Sequence, residues 1–290
     1  MNASLKGHLW ALTSVFCWGI MFPVGCLLMD DATLAPSMVA MLRYLIAAPL
    51  LFGVGFLLHG RGMLPRRATD WPALALLGLI GSSMMASLLF RAQQKGVSPI
   101  ASSLLEAYVP IQVLLLGFLM GRKATVRQVF AILLGFFGAL LVLKGITFDG
   151  LQIKRLTTGD LLIFLAGLCW ALYTILGRPI ATRMGGLPFT AWTVLFGGLW
   201  LLPCNFAGGA TAMPATVPQW MGILFLAIFP TAVAFFSWNE AQRHISLERL
   251  SFIEYFTPIV AALGGLCIGE PVTACQWLGA AIILVSALFQ

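Results

Sequence analysis

The sequence predicts an all-α membrane protein with ten transmembrane helices, built as two inverted five-helix repeats around a central cavity. Three observations carry that expectation: an apolar excess, the regular recurrence of long apolar runs, and an internal repeat whose loop charges reverse between copies. Of 290 residues, 60% are hydrophobic and only 9% charged, whereas roughly a quarter of a soluble domain is charged.

Unbroken apolar stretches bounded by charges, Gly or Pro run over Gly7–Leu28, Ala35–Leu58, Pro72–Phe90, Pro99–Met120, Val126–Leu143, Gly159–Ile180, Leu187–Phe206, Val217–Asn239, Leu250–Ile268 and Val272–Phe289. Each approaches the ~20 residues that a helix needs to cross a hydrocarbon core of about 30 Å. The runs are continuous rather than alternating. A lipid-facing backbone must satisfy its own N–H and C=O groups, so helices are expected rather than a barrel. Gly7–Leu28 is long for the apolar core of a secretory signal and is read as a retained first helix.

Basic loops are retained on the cytoplasmic side, so Lys and Arg set the orientation. The side of the N-terminus carries Lys6, Arg61, Arg66, Arg67, Arg122, Lys123, Arg127, Arg178, Arg183, Arg243 and Arg249. The opposite side carries Arg91, Lys95, Lys144, Lys154 and Arg155, and Arg43 lies inside a span. Both termini are therefore expected in the cytoplasm.

The segment QQKGVSPIASSLLEAYVPIQ from Gln93 aligns with AQRHISLERLSFIEYFTPIV from Ala241. Ser98 meets Ser246, Ser103 meets Ser251, Glu106 meets Glu254, Pro110 meets Pro258 and Gly117 meets Gly265. FCWG around Trp18 likewise resembles LCWA around Trp170. The expected halves are residues 1–147 and 148–290. Because five is odd, the second copy enters the membrane upside down, and equivalent loops must change charge. They do: GRKATVR after the fourth span becomes GEPVTAC after the ninth, and the loop of Arg61, Arg66 and Arg67 becomes an uncharged one.

The net charge of +7 resides in short loops rather than on an extended basic face, so no nucleic-acid partner is expected. The six cysteines lie almost entirely within apolar runs without metal-site spacing, and are read as small packing residues. With only His8, His59 and His244, near membrane edges, neither a metal centre, a cofactor site nor an enzyme is expected.

The tryptophan–glycine of CWGIMFP in the first span, the polar hinge before the fourth and ninth spans, and the paired stretches LLEAYVPI to FLMGRK and SFIEYFTPIV to LCIGEP resemble the ten-helix, EamA-type branch of the drug/metabolite transporter superfamily. The resemblance covers nearly the whole chain. It implies a multi-pass protein of the bacterial inner membrane with a central cavity between its halves. It also implies a small-molecule substrate: many bacterial members export amino acids, amino-acid-derived metabolites including opine-type metallophores, or drugs. An importer or a pump for cationic compounds would share the architecture. Monomer and homodimer both remain open, and membrane lipid is the surrounding partner.

An ionisable side chain inside a span costs several kcal/mol and normally faces protein or a water-filled path. Arg43, Glu106 and Glu254 are such residues. Counting about 1.5 Å per residue puts Arg43 and Glu106 at a common depth, suited to pairing with each other or to holding the two ends of one zwitterion, with Glu254 at the mirror depth. Each glutamate precedes a proline by four residues, Pro110 or Pro258, which bends the helix and lacks the N–H that would bond the glutamate's carbonyl. Trp18, Tyr44, Tyr108 and Trp170 are the expected aromatic lining, each with an apolar face and a polar tip. Carboxylates and prolines at these depths also serve as polar contacts and kinks, and aromatics as packing. Gly117/Gly121 and Gly265/Gly269 form GxxxG pairs suited to close helix approach.

Overall fold

The computed structural model describes residues 3–30, 34–98, 102–121, 123–144, 157–207, 212–267, 273–287 and 289. Asp31, Arg122, Lys154, Arg155, Gly269, Glu270 and the expected boundary at 147/148 lie outside them. Ten helices follow one another among the described residues: α1 (Ala3–Met29), α2 (Pro36–His59), α3 (Asp70–Gln94), α4 (Leu104–Leu119), α5 (Val126–Lys144), α6 (Thr158–Met184), α7 (Gly186–Ala207), α8 (Val217–Ala241), α9 and α10 (Ala274–Ala287). α9 comprises Leu247–Ile253, a 3-10 turn Glu254–Phe256 and Thr257–Cys267. By length and composition α1, α2, α3, α6, α7 and α8 can each cross a membrane unaided.

Local chemistry explains where the helices start and stop. Thr157 and Asp160 exchange side-chain and backbone hydrogen bonds at the start of α6, and Thr216 and Gln219 do the same for α8, satisfying N–H groups that have no helical partner. Gly96 and Gly185, with φ of 82° and 100°, follow α3 and α6. Within α1 the residues sort by helical spacing. Leu5, Leu9, Leu12 and Phe16 are exposed, while Ala11, Ser14, Val15, Trp18 and Phe22 are buried. The apolar outward stripe belongs against lipid and the inward one against other helices.

The packing of the helices repeats with twofold logic. α2 packs on its counterpart α7 and α5 on its counterpart α10, while α1 against α8 and α9 is mirrored by α6 against α3 and α4. Close approach depends on glycine at specific crossings. A Cβ on Gly138 of α5 would come within 2.8 Å of the Gly279 carbonyl of α10, and one on Gly78 within 2.6 Å of the Thr193 carbonyl of α7. Of the expected Gly117/Gly121 pair, Gly121 lies beyond α4 at φ 76° with nothing within 4 Å of its Cβ position.

Both repeats also widen at the same place. A π-helical turn interrupts α3 at Leu79–Met84 and α8 at Ala227–Val233. In α8 it contains Pro230, whose missing N–H and ring disfavour ordinary helical bonding. In α3 the turn contains Gly81, onto which the Tyr173 ring packs so closely that a Cβ would lie 2.3 Å from it. Such turns commonly mark functional positions.

Candidate functional site

The two π turns, α1, α2, α6 and the 3-10 turn of α9 converge on a buried centre that mixes aromatic rings with three ionisable groups. The indoles of Trp18 and Trp170, equivalent residues of the two repeats, meet edge to face at 5.0 Å. Trp170 stacks on Tyr173 at 5.0 Å and touches Phe235 and Trp238. The Trp18 indole N–H donates to the Pro230 carbonyl at 3.0 Å, an oxygen in the π turn of α8.

Adjacent residues of α2 reach the two π turns. Arg43 Nε donates to Thr231 Oγ1 at 2.9 Å, while the Tyr44 hydroxyl donates to the Ser82 carbonyl at 3.2 Å. The Arg43 guanidinium lies 4.8 Å from the centroid of the Tyr44 ring and 5.7 Å from that of Phe90. Its Nη1 points at the Met21 sulfur at 3.3 Å, and its Nη2 has no hydrogen-bond partner. Arg43 is wholly buried and forms no ion pair among the described residues. The expected pairing with Glu106 is not made. Aromatic faces and a thioether compensate only a fraction of the charge that water would solvate.

The two glutamates lie on elements that pack against each other. Glu106 sits in the first turn of the helical stretch Leu104–Leu119, just after a turn at Ser103. Glu254 opens the 3-10 turn of α9, and that turn packs directly on α4. Each carboxylate is buried with its Oε2 unpartnered, and Glu254 Oε1 accepts the Trp170 indole N–H at 2.7 Å. The expected free carbonyl at Glu254 is absent, because the 3-10 turn tightens the chain and the Thr257 N–H bonds that oxygen. Pro258 follows this break, whereas Pro110 sits within a helix that continues to Leu119.

Of the residues selected from sequence, Trp18, Arg43, Tyr44, Trp170 and Glu254 come together, with Glu106 beside Glu254. Tyr108 does not join them. It is half-buried on the outward side of α4, against Phe136 and Phe164. Tyr173, Thr231, Met21 and Phe235 complete the centre, and the last three were not singled out from sequence; Pro230 inside an apolar span was the available signal for the π turn that places Thr231. Every member is buried, so the expected cavity is closed in this conformation.

One end of the bundle is held by hydrogen bonds between its helices and by an ion pair. Glu240, at the end of α8, receives two 2.9 Å bonds from Arg243 Nη1, a 3.2 Å contact from His244 Nε2 and a 3.3 Å bond from the Gly186 N–H that starts α7. Arg178 of α6 donates to the Ile245 carbonyl at 2.8 Å, and Gly7 of α1 fits against His244 and Ile245 with no room for a Cβ. The segment between α8 and α9 is thus clasped by three helices. At the same end Arg183 and Asp70 link α6 to α3.

An all-helical, multi-pass chain with buried charges at the junction of two equivalent halves is the architecture of a membrane transporter. This chain belongs to the EamA-like transporter family of the drug/metabolite transporter superfamily, which it matches twice, over residues 5–144 and 157–289. It is a transporter of a small-molecule substrate and not an enzyme. It is 25% identical over 259 residues to an uncharacterized transporter of Bacillus subtilis, covering 88% of this chain and 84% of the relative. A probable terminal-alkyne amino-acid exporter of Streptantibioticus cattleyicolor is 28% identical over 280 residues, covering 95% and 86%. A probable amino-acid metabolite efflux pump of Escherichia coli is 26% identical over 296 residues, covering 97% and 93%. A solved crystal structure superposes with a TM-score of 0.76 at 21% identity, covering 99% of this chain and 95% of the other, a likeness of fold.

Proposed function

We propose that the chain is a secondary transporter that exports a small amino acid or an amino-acid-derived metabolite, opine-type compounds included, across the bacterial inner membrane by alternating access. The observation that carries this reading is Arg43: a fully buried guanidinium with an unpartnered Nη2 and no acidic partner among the described residues. Beside the same aromatic centre Glu106 and Glu254 each present an unpartnered buried oxygen. One cation and two acids left uncompensated match a zwitterion, whose carboxylate takes Arg43 and whose ammonium takes the glutamates.

Energetics favour the same assignment. Removing water strengthens charge pairing, and a bound carboxylate offsets the penalty of the buried guanidinium. Trp18, Tyr44, Trp170 and Tyr173 supply apolar faces for the cargo's side chain. Residues 1–147 and 148–290 act as the two moving halves, with the bends at Pro110 and Pro258 letting α4 and α9 flex. The orientation is the one set by the basic loops, with both termini cytoplasmic. The likeness to a probable amino-acid exporter of Streptantibioticus and a probable amino-acid metabolite efflux pump of Escherichia supports the cargo class.

A second reading, efflux of a cationic compound, is favoured by the two glutamates, which have no basic partner among the described residues. Counterflow of radiolabelled amino acids, opines and cationic drugs in reconstituted proteoliposomes separates the two. Transport of a zwitterion that requires Arg43 supports the first; transport of cations that is indifferent to Arg43 supports the second.

A further inference from the structure

The side chains that close the centre leave one approach to it that is not clasped. Between α4, α5 and the start of α9 lies a shallow cleft, lined among others by Pro110, Leu114, Lys123, Ile132, Glu248 and Ser251. Its walls are mostly apolar. Pro110 is one helical turn from Glu106, and Ser251 is three residues before Glu254, so the deepest lining residues stand directly before the two buried carboxylates. In the orientation proposed above, this cleft opens on the inner side, at the same end of the bundle as the Glu240 clasp. That clasp seals the α1, α6 and α7 side, but α4 and α5 take no part in it.

The cleft also carries its own charge pattern. Lys123 and Glu248 line it from opposite walls, one on the segment after α4 and the other on the first turn of α9. They form no ion pair with each other or with any other described residue. Ser251, one turn deeper, spends its hydroxyl on the Glu248 carbonyl at 3.2 Å. An open cation and an open anion beside an apolar wall fit the charge pattern of a molecule with a carboxylate, an ammonium and an apolar side chain.

We infer that the α4–α9 cleft is the inner vestibule of the transport path and a receiving site for the amino-acid zwitterion, its carboxylate on Lys123 and its ammonium on Glu248. The inference rests on the carrier reading above and names where the cargo is first held. From there the cargo passes between Pro110 and Ser251 to Glu106 and Glu254. The paired charges at the mouth also favour zwitterions over amines or acids, because a ligand with one charge leaves the other residue unanswered.

The test is solvent access and protection at Leu114, in a variant carrying L114C with the native cysteines replaced. A membrane-impermeant, cationic methanethiosulfonate reagent is added to inside-out and to right-side-out vesicles. The expected result is labelling at least about ten-fold faster from the inner face. A mixture of the common L-amino acids without cysteine, whose thiol would consume the reagent, slows it; a mixture of isoamylamine and 4-methylvalerate, each bearing one charge, does not. Adding K123A or E248A to L114C abolishes protection while the unprotected labelling rate stays within about two-fold, which also shows that the wall is intact. Labelling that is faster from the outer face, equal from both or absent overturns the vestibule. Protection that is missing, or that survives both charge variants, overturns the zwitterion site. Failure here alongside zwitterion counterflow that depends on Arg43 would remove the cleft and leave the carrier reading standing. Inner labelling with protection but no counterflow would do the reverse.

Discussion

Arg43 of the first repeat donates from Nε to Thr231 Oγ1 of the second at 2.9 Å, and Thr231 in turn donates to the Leu226 carbonyl at 2.7 Å inside a π turn. The buried cation is thus fixed by a widened helix of the opposite half, so movement of one half against the other must move the guanidinium relative to its anchor. Its remaining nitrogen, Nη2, has no partner.

A buried charge kept without compensation is costly, and replacing it with a well-packed apolar residue removes that desolvation penalty. Arg43→Leu is therefore expected to raise the thermal unfolding midpoint in detergent while abolishing transport. Thr231→Val keeps the volume but removes the acceptor, and should lower transport without a comparable gain in stability. A scanning fluorimetry series alongside counterflow measures both.

The Trp170–Glu254 bond gives a second expectation. Trp170→Phe removes the donor and leaves a second carboxylate oxygen buried and unanswered, at a cost of about 1–3 kcal/mol. Glu254→Gln in the same background restores much of that loss, since a neutral amide tolerates the site better than a charge. A double-mutant cycle on thermal stability reads the coupling; additive effects would mean that the bond contributes nothing.

Tyr108 is the control. Its ring packs on Phe136 and Phe164 away from the centre. Tyr108→Phe should keep counterflow within about two-fold and stability within about 0.5 kcal/mol.

Glycine substitutions separate the packing claims. Gly138→Val should unfold or misassemble the protein, because the first added carbon already meets the Gly279 carbonyl at 2.8 Å. Gly53→Ala, with nothing within 4 Å of its Cβ position, should express and transport normally. Size-exclusion profiles of the two variants make the comparison.

Much of this was legible in the chain because membrane helices are specified by length and polarity, and a duplicated sequence states its own symmetry. The ten helices, the Trp18/Trp170 pair and the burial of Arg43, Glu106 and Glu254 all follow from such features. Tertiary detail did not. Helix periodicity has no term for a π turn, so Thr231 and Ser82 were not placed beside Arg43 and Tyr44. Depth counted along a single straight helix also takes no account of the turn at Ser103 that precedes the stretch Leu104–Leu119. Tyr108 follows Glu106 by two residues on the same helix, and residues so spaced do not share a face, so its turn away from the carboxylate was already present in the spacing.

The central claim is that Arg43 and Glu106 contact the cargo. Counterflow in proteoliposomes by the wild-type chain, Arg43→Ala and Glu106→Gln, each first shown to be folded and monodisperse, tests it most directly. The account predicts that either substitution lowers amino-acid counterflow at least about ten-fold, equivalent to about 1.4 kcal/mol of lost interaction. Wild-type rates in both variants would contradict it.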